Sequence, residues 1–454
     1  MKTLISSLKV VMALLIVGGG SSIFDTQAQT TYAYAVMSIA PLGDSATIHI
    51  VDPESSSNPV ETREFPLPTD WLLIPQIHSQ ISPDGRWMVS TLFARDQSRL
   101  MIQVTNVETL QSEAVIEGYM LGETRHLAWS PDSRTLAIVL RATSELDSDL
   151  YVYRMDDSTL INISNDDFDQ RDAVWSQDND FVLAFTHPCA ANTVCADQLT
   201  LFDVASGRAI TTANLSALPF LGSSACNPNS TSNIVAFTSN CGVGIPFATD
   251  FPNEVYLWDT STGTVRQITN YTSQAEPVIA SASYHYEWLS STDLLIGVNY
   301  QVSGQSEQQE LIEHNIETGM SIVRTRNLGQ GFALDSTRTL LAIQSSREML
   351  TATNAGQSSE VAIVRIDEIR SISPDTLGAN AESRLTLPST CDLFWSPDSN
   401  GLAVSSSSVN CSFNVETLTF LNQSSNGITN FDISSLIEIR PNHFVVNLGW
   451  VRTT

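Results

Sequence analysis

The chain predicts an all-β fold: a single β-propeller of eight four-stranded blades, with seven as the alternative count. Three observations predict it. Short alternating apolar runs are cut by Pro, Asp, Ser and Gly, a strand–turn–strand unit recurs along the chain, and the two termini supply complementary parts of one unit. Alternation with period two marks half-buried or sandwiched strands. A four-stranded sheet cannot bury both faces alone, so a repeated one stacks against its neighbours.

The clearest unit is Leu127 to Ser164. LAWS and TLAIVL flank the turn Pro131-Asp132-Ser133, DLYVYRM follows a polar loop, and TLINIS follows Asp156-Asp157-Ser158. The first half recurs as ISPDGRWMVSTLF from Ile81, AVWSQDNDFVLAF from Ala173 and LFWSPDSNGLAVS from Leu393. Weaker copies begin at Cys226, Tyr286 and Phe332. The second half recurs as LTLFDVASGRAITT from Leu199, VYLWDTSTGTVRQIT from Val255 and LIEHNIETGMSIV from Leu311, each with a Gly free to take positive φ in the hairpin. The spacing, about 46 to 61 residues, is near or above the blade period of roughly 40 to 50.

At the start, AYAVMSI, ATIHIVD and TREFPL give three strands with no first strand. At the end, VVNLGWVR (Val445 to Arg452) gives a first strand with nothing after it. Pairing them makes the eighth blade and leaves no open sheet edge between the first and last blades. The count falls to seven if Cys226–Thr269 or Phe332–Ser373 is not a blade.

The repeat W-S-P-D, at Trp129–Asp132 and Trp395–Asp398, resembles that of TolB-like, WD-repeat-like propellers, as does Asn165-Asp166-Asp167 leading to Trp175-Ser176. The resemblance covers most of the chain and implies a fold rather than an activity. Gly follows the Asp only at Gly85, with Ser133 and Ser399 elsewhere.

Lys2 and Lys9, then the apolar run Val10 to Val17, have the layout of a secretory signal peptide over residues 1–28, with cleavage after Ala28. An uncleaved anchor helix is the alternative, but the run is short beside the roughly 20 residues of a membrane span. Residues 29–454 form the propeller, expected to be a monomer outside the cytoplasm, secreted or periplasmic. The formal charge of −27 repels phosphate backbones and argues against nucleic acid and anionic membranes. Six cysteines fall in close pairs, Cys189 with Cys195, Cys226 with Cys241, and Cys391 with Cys411. In an exported chain that pattern suggests disulfides between neighbours.

Chemistry has little local support. The Asp of each W-S-P-D turn is expected to accept backbone N–H groups. Asn165–Asp172, the densest acidic stretch, lacks the Gly and terminal Glu of an EF-hand and reads as a solvated turn between blades. The seven His form no HExxH, and no G-x-S-x-G elbow occurs. No catalytic residue, metal ligand or cofactor is therefore assigned.

The long loops fall on one rim, between second and third strands or between blades, and all six cysteines map there. Long braced loops suggest a recognition surface, with Phe247, Phe251, Arg347 and Met349 as candidate contacts. The expected function is binding or scaffolding without chemistry, toward a protein or a cell-envelope glycan. The alternative is a propeller enzyme, hydrolase or lyase, acting on carbohydrate with carboxylates at the central channel. A propeller that once gated a hydrolase is a third reading.

Overall fold

The computed structural model describes residues 31–55, 60–73, 80–119, 127–142, 147–187, 198–214, 229–231, 233–238, 254–271, 279–302, 307–326, 331–345, 359–371, 383–387, 392–406, 415–423, 427–433 and 444–453. They form eight antiparallel sheets, seven of four strands and one of five. The weak copies at Cys226, Tyr286 and Phe332 each correspond to a blade, so the count is eight.

Blade 1 takes the C-terminal Phe444–Thr453 as its inner strand, followed outward by Thr31–Ile39, Ala46–Val51 and Val60–Glu64. The first two pair from Thr31 with Thr453 to Ile39 with Phe444, with one bulge after Ala35. Blades 2 to 8 are each built from consecutive strands. Their inner strands are Gln80–Ile81, Leu127–Trp129, Asp169–Trp175, Asn229–Thr231, Ile279–Trp288, Phe332–Leu334 and Asp392–Trp395. In blade 2 a further short strand, Trp71–Leu73, pairs with the same partner as Gln80–Ile81 and makes the fifth member.

The period-two alternation has a specific use here. In the second strand of blade 3, Leu136 and Ile138 pack with Val89 and Ile102 of blade 2. Ala137 and Val139, between them, pack with Trp175 and Val182 of blade 4. Successive residues thus enter successive seams, and both faces of the strand are buried. Among the described residues each of the eight seams holds its own apolar cluster. Fully burying one such side chain contributes about 1.5–3 kcal/mol. Outer strands such as Ser112–Tyr119 and Gly427–Asp432 are mostly exposed, as the edge of a blade requires.

One sequence reading needs correction. Asn165–Asp172 is a turn only over its first half, because Asp169 already starts the inner strand of blade 4. Gln170 is fully buried there and accepts the Thr186 hydroxyl at 2.8 Å. A register shift between Gln170 and Ala173 lets these polar residues enter the ladder. A single helical turn, Ile366–Ile369, follows the third strand of blade 7.

Candidate functional site

The register divides the ring into two rims. In blade 3, Trp129 faces Leu136 and Thr135 faces Arg154, so both short hairpins lie on one rim. Leu140 faces Asp149 at the opposite rim, where the longer connections leave.

The hairpin rim is closed by a repeated hydroxyl–carboxylate device. Ser82, Ser130, Ser176 and Ser396 each donate to the Asp two residues on, at 2.7, 2.6, 2.5 and 2.6 Å. The same hydroxyls accept the N–H five residues on, at 3.0, 2.9, 3.0 and 2.9 Å. The third residue after each Ser has positive φ: Gly85, Ser133, Asn179 and Ser399, at 75°, 63°, 67° and 61°. In blade 7, Asp335 replaces the Ser and accepts the N–H groups of Thr339 and Leu340 itself, at 2.7 and 2.8 Å. Burial opposes the charge of Asp398, but its Ser396 and Asn400 donors outweigh that and hold its carboxyl below the ordinary value. These aspartates are engaged in the turns, as the sequence suggests.

Phe247, Phe251, Arg347 and Met349 lie outside the described residues, as do Cys189, Cys195, Cys226, Cys241, Cys391 and Cys411. Residues 1–28 lie outside them too.

The described part of the loop rim carries a cluster that sequence reasoning missed, at the seam of blades 5 and 6. The ring of Tyr271, on the connection between them, sits 5.0 Å from Tyr300 and 6.3 Å from Tyr284. Tyr271 donates to Glu310 at 2.7 Å. Glu254, fully buried, accepts Tyr284 at 2.9 Å and Thr269 at 2.5 Å. Burial, followed by the adjacent Glu310 and Glu254, drives the Tyr271 and Tyr284 hydroxyls far above their ordinary value, so both stay neutral donors. Tyr271 and Tyr300 remain partly exposed. The arrangement offers aromatic faces beside carboxylates. The three tyrosines come from a connection and two strands, without a common period, which hid them in the sequence.

A polar network lies on the same rim at blades 3 and 4. Asp149 accepts Asn162 and Ser164 at 2.9 and 3.0 Å. Asp166 accepts the Phe168 N–H at 3.0 Å and Gln170 at 3.2 Å. Burial, with Asp149 and Asp147 nearby, raises the Asp166 carboxyl. Among the described residues no group of three or more His, Cys, Asp or Glu is placed to hold a metal ion. On the inner strand of blade 6, His285 Nε2 lies 3.3 Å from Glu287 and its ring meets Phe332 edge-on at 4.6 Å. No described helix is long and apolar enough to cross a membrane.

No family model and no curated protein matches the chain. Among solved structures it is similar to an oligogalacturonate lyase from Vibrio parahaemolyticus, with 14% identity over 81% of this chain and 95% of that one, TM-score 0.45. It is also similar to the β-propeller domain of the Trilobed protease from Pyrococcus furiosus, with 14% identity over 73% and 95%, TM-score 0.41. TolB from Acinetobacter baumannii shares 14% identity over 81% and 82%, TM-score 0.36. None of these likenesses transfers an activity or ligand. The chain is an eight-bladed β-propeller whose repeat resembles that of TolB-like propellers.

Proposed function

We propose that the protein is an exported, non-enzymatic propeller that engages a protein or cell-envelope glycan through its loop rim. The observation that carries this reading is the Tyr271–Tyr284–Tyr300 cluster with Glu310 and Glu254. Tyr presents a rigid amphipathic face at low entropic cost, and such residues anchor interfaces and stack on sugar rings. On the hairpin rim, by contrast, Asp84, Asp132, Asp178 and Asp398 are engaged inside their own turns. Residues 1–28 serve as the cleaved export signal, the three cysteine pairs brace loops of that rim, and Phe247, Phe251, Arg347 and Met349 are further candidate contacts there.

The test is retention of the purified protein on isolated cell envelopes, either protease-treated or periodate-treated. Retention lost after protease assigns a protein partner; retention lost after periodate assigns a glycan. The double variant Tyr271→Ala/Tyr300→Ala is expected to lose at least tenfold in affinity with its circular dichroism unchanged. Equal retention of wild type and double variant, or no retention of either, rejects the reading.

The enzyme alternative rests on His285 beside Glu287, an acid–base pair on an inner strand. Turnover of a soluble oligosaccharide by the wild type, abolished in Glu287→Gln, would decide for it.

A further inference from the structure

The geometry points to a second, unrelated binding site on the hairpin rim: a pocket at the ring-closure seam that takes a small hydroxylated carboxylate. A cavity of about 340 Å³ lies between blades 1 and 2, lined by Gly85, Arg86, Asn106, Glu108 and Arg452. That volume is at the lower end of ligand sites and suits one sugar-acid-sized molecule.

The cavity follows from how the ring closes. At three internal seams, those of blades 2 and 3, 3 and 4, and 7 and 8, the positive-φ residue of one turn reaches the turn before it. Ser133 Oγ accepts the Asp84 N–H at 2.9 Å and Asn179 Oδ1 accepts the Asp132 N–H at 3.1 Å. Ser399 Oγ meets Ser336 Oγ at 2.7 Å. Blade 1 has no inner hairpin turn, because its inner and second strands come from opposite ends of the chain, Thr31 beside Thr453. The corresponding residue of blade 2 is Gly85, which has no side chain to place there. Its carbonyl accepts the Arg452 N–H at 3.0 Å, and a Cβ at Gly85 would lie 2.7 Å from that nitrogen. The bridging side chain and its partner turn are both missing: the backbone of Arg452 closes directly on Gly85, and the cavity lies beside that contact.

The lining sets the ligand. Arg452 has no hydrogen-bonded or ion-paired side-chain partner among the described residues, and Arg86 has only a loose pairing with Asp84, at 3.5 Å, while more than half exposed. Asn106 uses its oxygen to accept the N–H groups of Glu108 and Thr109, at 3.0 and 2.9 Å, which turns its amide NH₂ outward from that turn. Two guanidinium forks and an amide donor match a planar carboxylate. The Glu108 carboxylate accepts hydroxyl groups at the other end of the molecule. In a chain carrying −27, the two arginines balance Glu108 and the neighbouring Asp84, so the pocket lacks the acidic excess of the rest of the surface.

Isothermal titration of the purified protein with sodium D-glucuronate, sodium acetate, D-glucose and inorganic phosphate tests this. D-glucuronate is expected to bind once per chain, at least tenfold more tightly than acetate or phosphate, with no heat from D-glucose. Arg452→Gln and Arg86→Gln should each weaken D-glucuronate at least tenfold without lowering the melting temperature. Glu108→Gln should remove the preference over acetate. The site is rejected by no binding, by phosphate binding as tightly, or by unchanged affinity in Arg86→Gln, whose exposed side chain can be replaced without disturbing the fold. The loop-rim variant Tyr271→Ala/Tyr300→Ala should bind D-glucuronate as the wild type does, which keeps the two sites' tests separate.

Discussion

Trp450 Nε1 donates to the carbonyl of Phe394 at 2.9 Å, across the seam between blade 1 and blade 8. Trp395 makes the same bond to Ala333 at 2.9 Å, and Trp175 to Ala128 at 2.8 Å. Each indole closes the inner strand of one blade onto that of the blade before it. The C-terminal strand therefore occupies its place as an internal repeat does. Trp450 also meets Tyr34 and Phe420 edge-on, at 5.6 and 5.7 Å. Trp450→Phe keeps most of the apolar contact and loses the hydrogen bond, a cost of about 1 kcal/mol. Trp450→Ala should cost about 3–5 kcal/mol. Urea unfolding of Trp450→Phe beside Trp395→Phe checks the equivalence: similar losses mean that the closure seam is as tight as an internal one.

Gly85 should be the least replaceable turn residue on the hairpin rim. It has φ +75°, and backbone of Arg452, Val451 and Trp450 lies within about 3 Å of where a methyl group would sit, so Gly85→Ala adds a clash to the left-handed penalty. The penalty alone is about 1–2 kcal/mol. Ser399→Gly, at a like φ of 61°, loses a hydroxyl contact but relieves the backbone, and should change stability by less than about 1 kcal/mol. Chemical denaturation of both variants measures the contrast. A neutral Gly85→Ala would mean that the closure backbone yields easily.

The eight blades were legible because alternation seats successive residues in successive seams, as Leu136 and Ala137 do. The shared blade was legible for the same reason: Val445–Arg452 has a strand's pattern and no hairpin partner after it, and the strand spans Phe444–Thr453. The start of the blade 4 inner strand was hidden because Asp169 and Gln170 are polar and enter the ladder only with a bulge. Trp71–Leu73 was hidden because three residues carry no period. The loop-rim tyrosines meet through tertiary packing alone. The closure pocket did leave a trace, since Gly85 is the one Gly at its turn position, but its reason appears only when Arg452 is found against it.

At the seam of blades 5 and 6, two tyrosines should behave differently. Tyr284→Phe removes a donor to the fully buried Glu254 carboxylate. Losing a hydrogen bond to a buried charge costs about 1.5–3 kcal/mol. Tyr300 lies near the surface, donating to Gln308 at 3.3 Å with Glu310 beside it, so Tyr300→Phe should cost less, about 1 kcal/mol or under. Thermal melting of the two variants separates the tyrosine that holds the seam from the one offered to a partner.

His49 should give the fold a titration of its own. It is buried in the third strand of blade 1, with Nε2 2.8 Å from Ser38 Oγ and Nδ1 3.4 Å from Thr62 Oγ1. Burial pushes its pKa down from 6.5 to about 4. The unfolded chain takes up this proton near pH 6.5 and the folded chain only near 4, so between those values the unfolded state binds more protons. The stabilisation is complete above pH 6.5 and declines as pH falls toward 4, by about 3 kcal/mol at most. The lowered carboxyls of Asp335 and Asp398 act in a different window: their contribution holds above their unfolded pKa of 3.8 and is lost below it. Acid also relieves self-repulsion in a chain of pI 4.4, which works in the opposite direction. Comparing urea unfolding of the wild type and His49→Gln from pH 7 to 4 cancels the shared charge effects. The wild type should lose stability relative to His49→Gln through that range, and parallel curves would mean that His49 takes up its proton as readily in the folded chain as in the unfolded one.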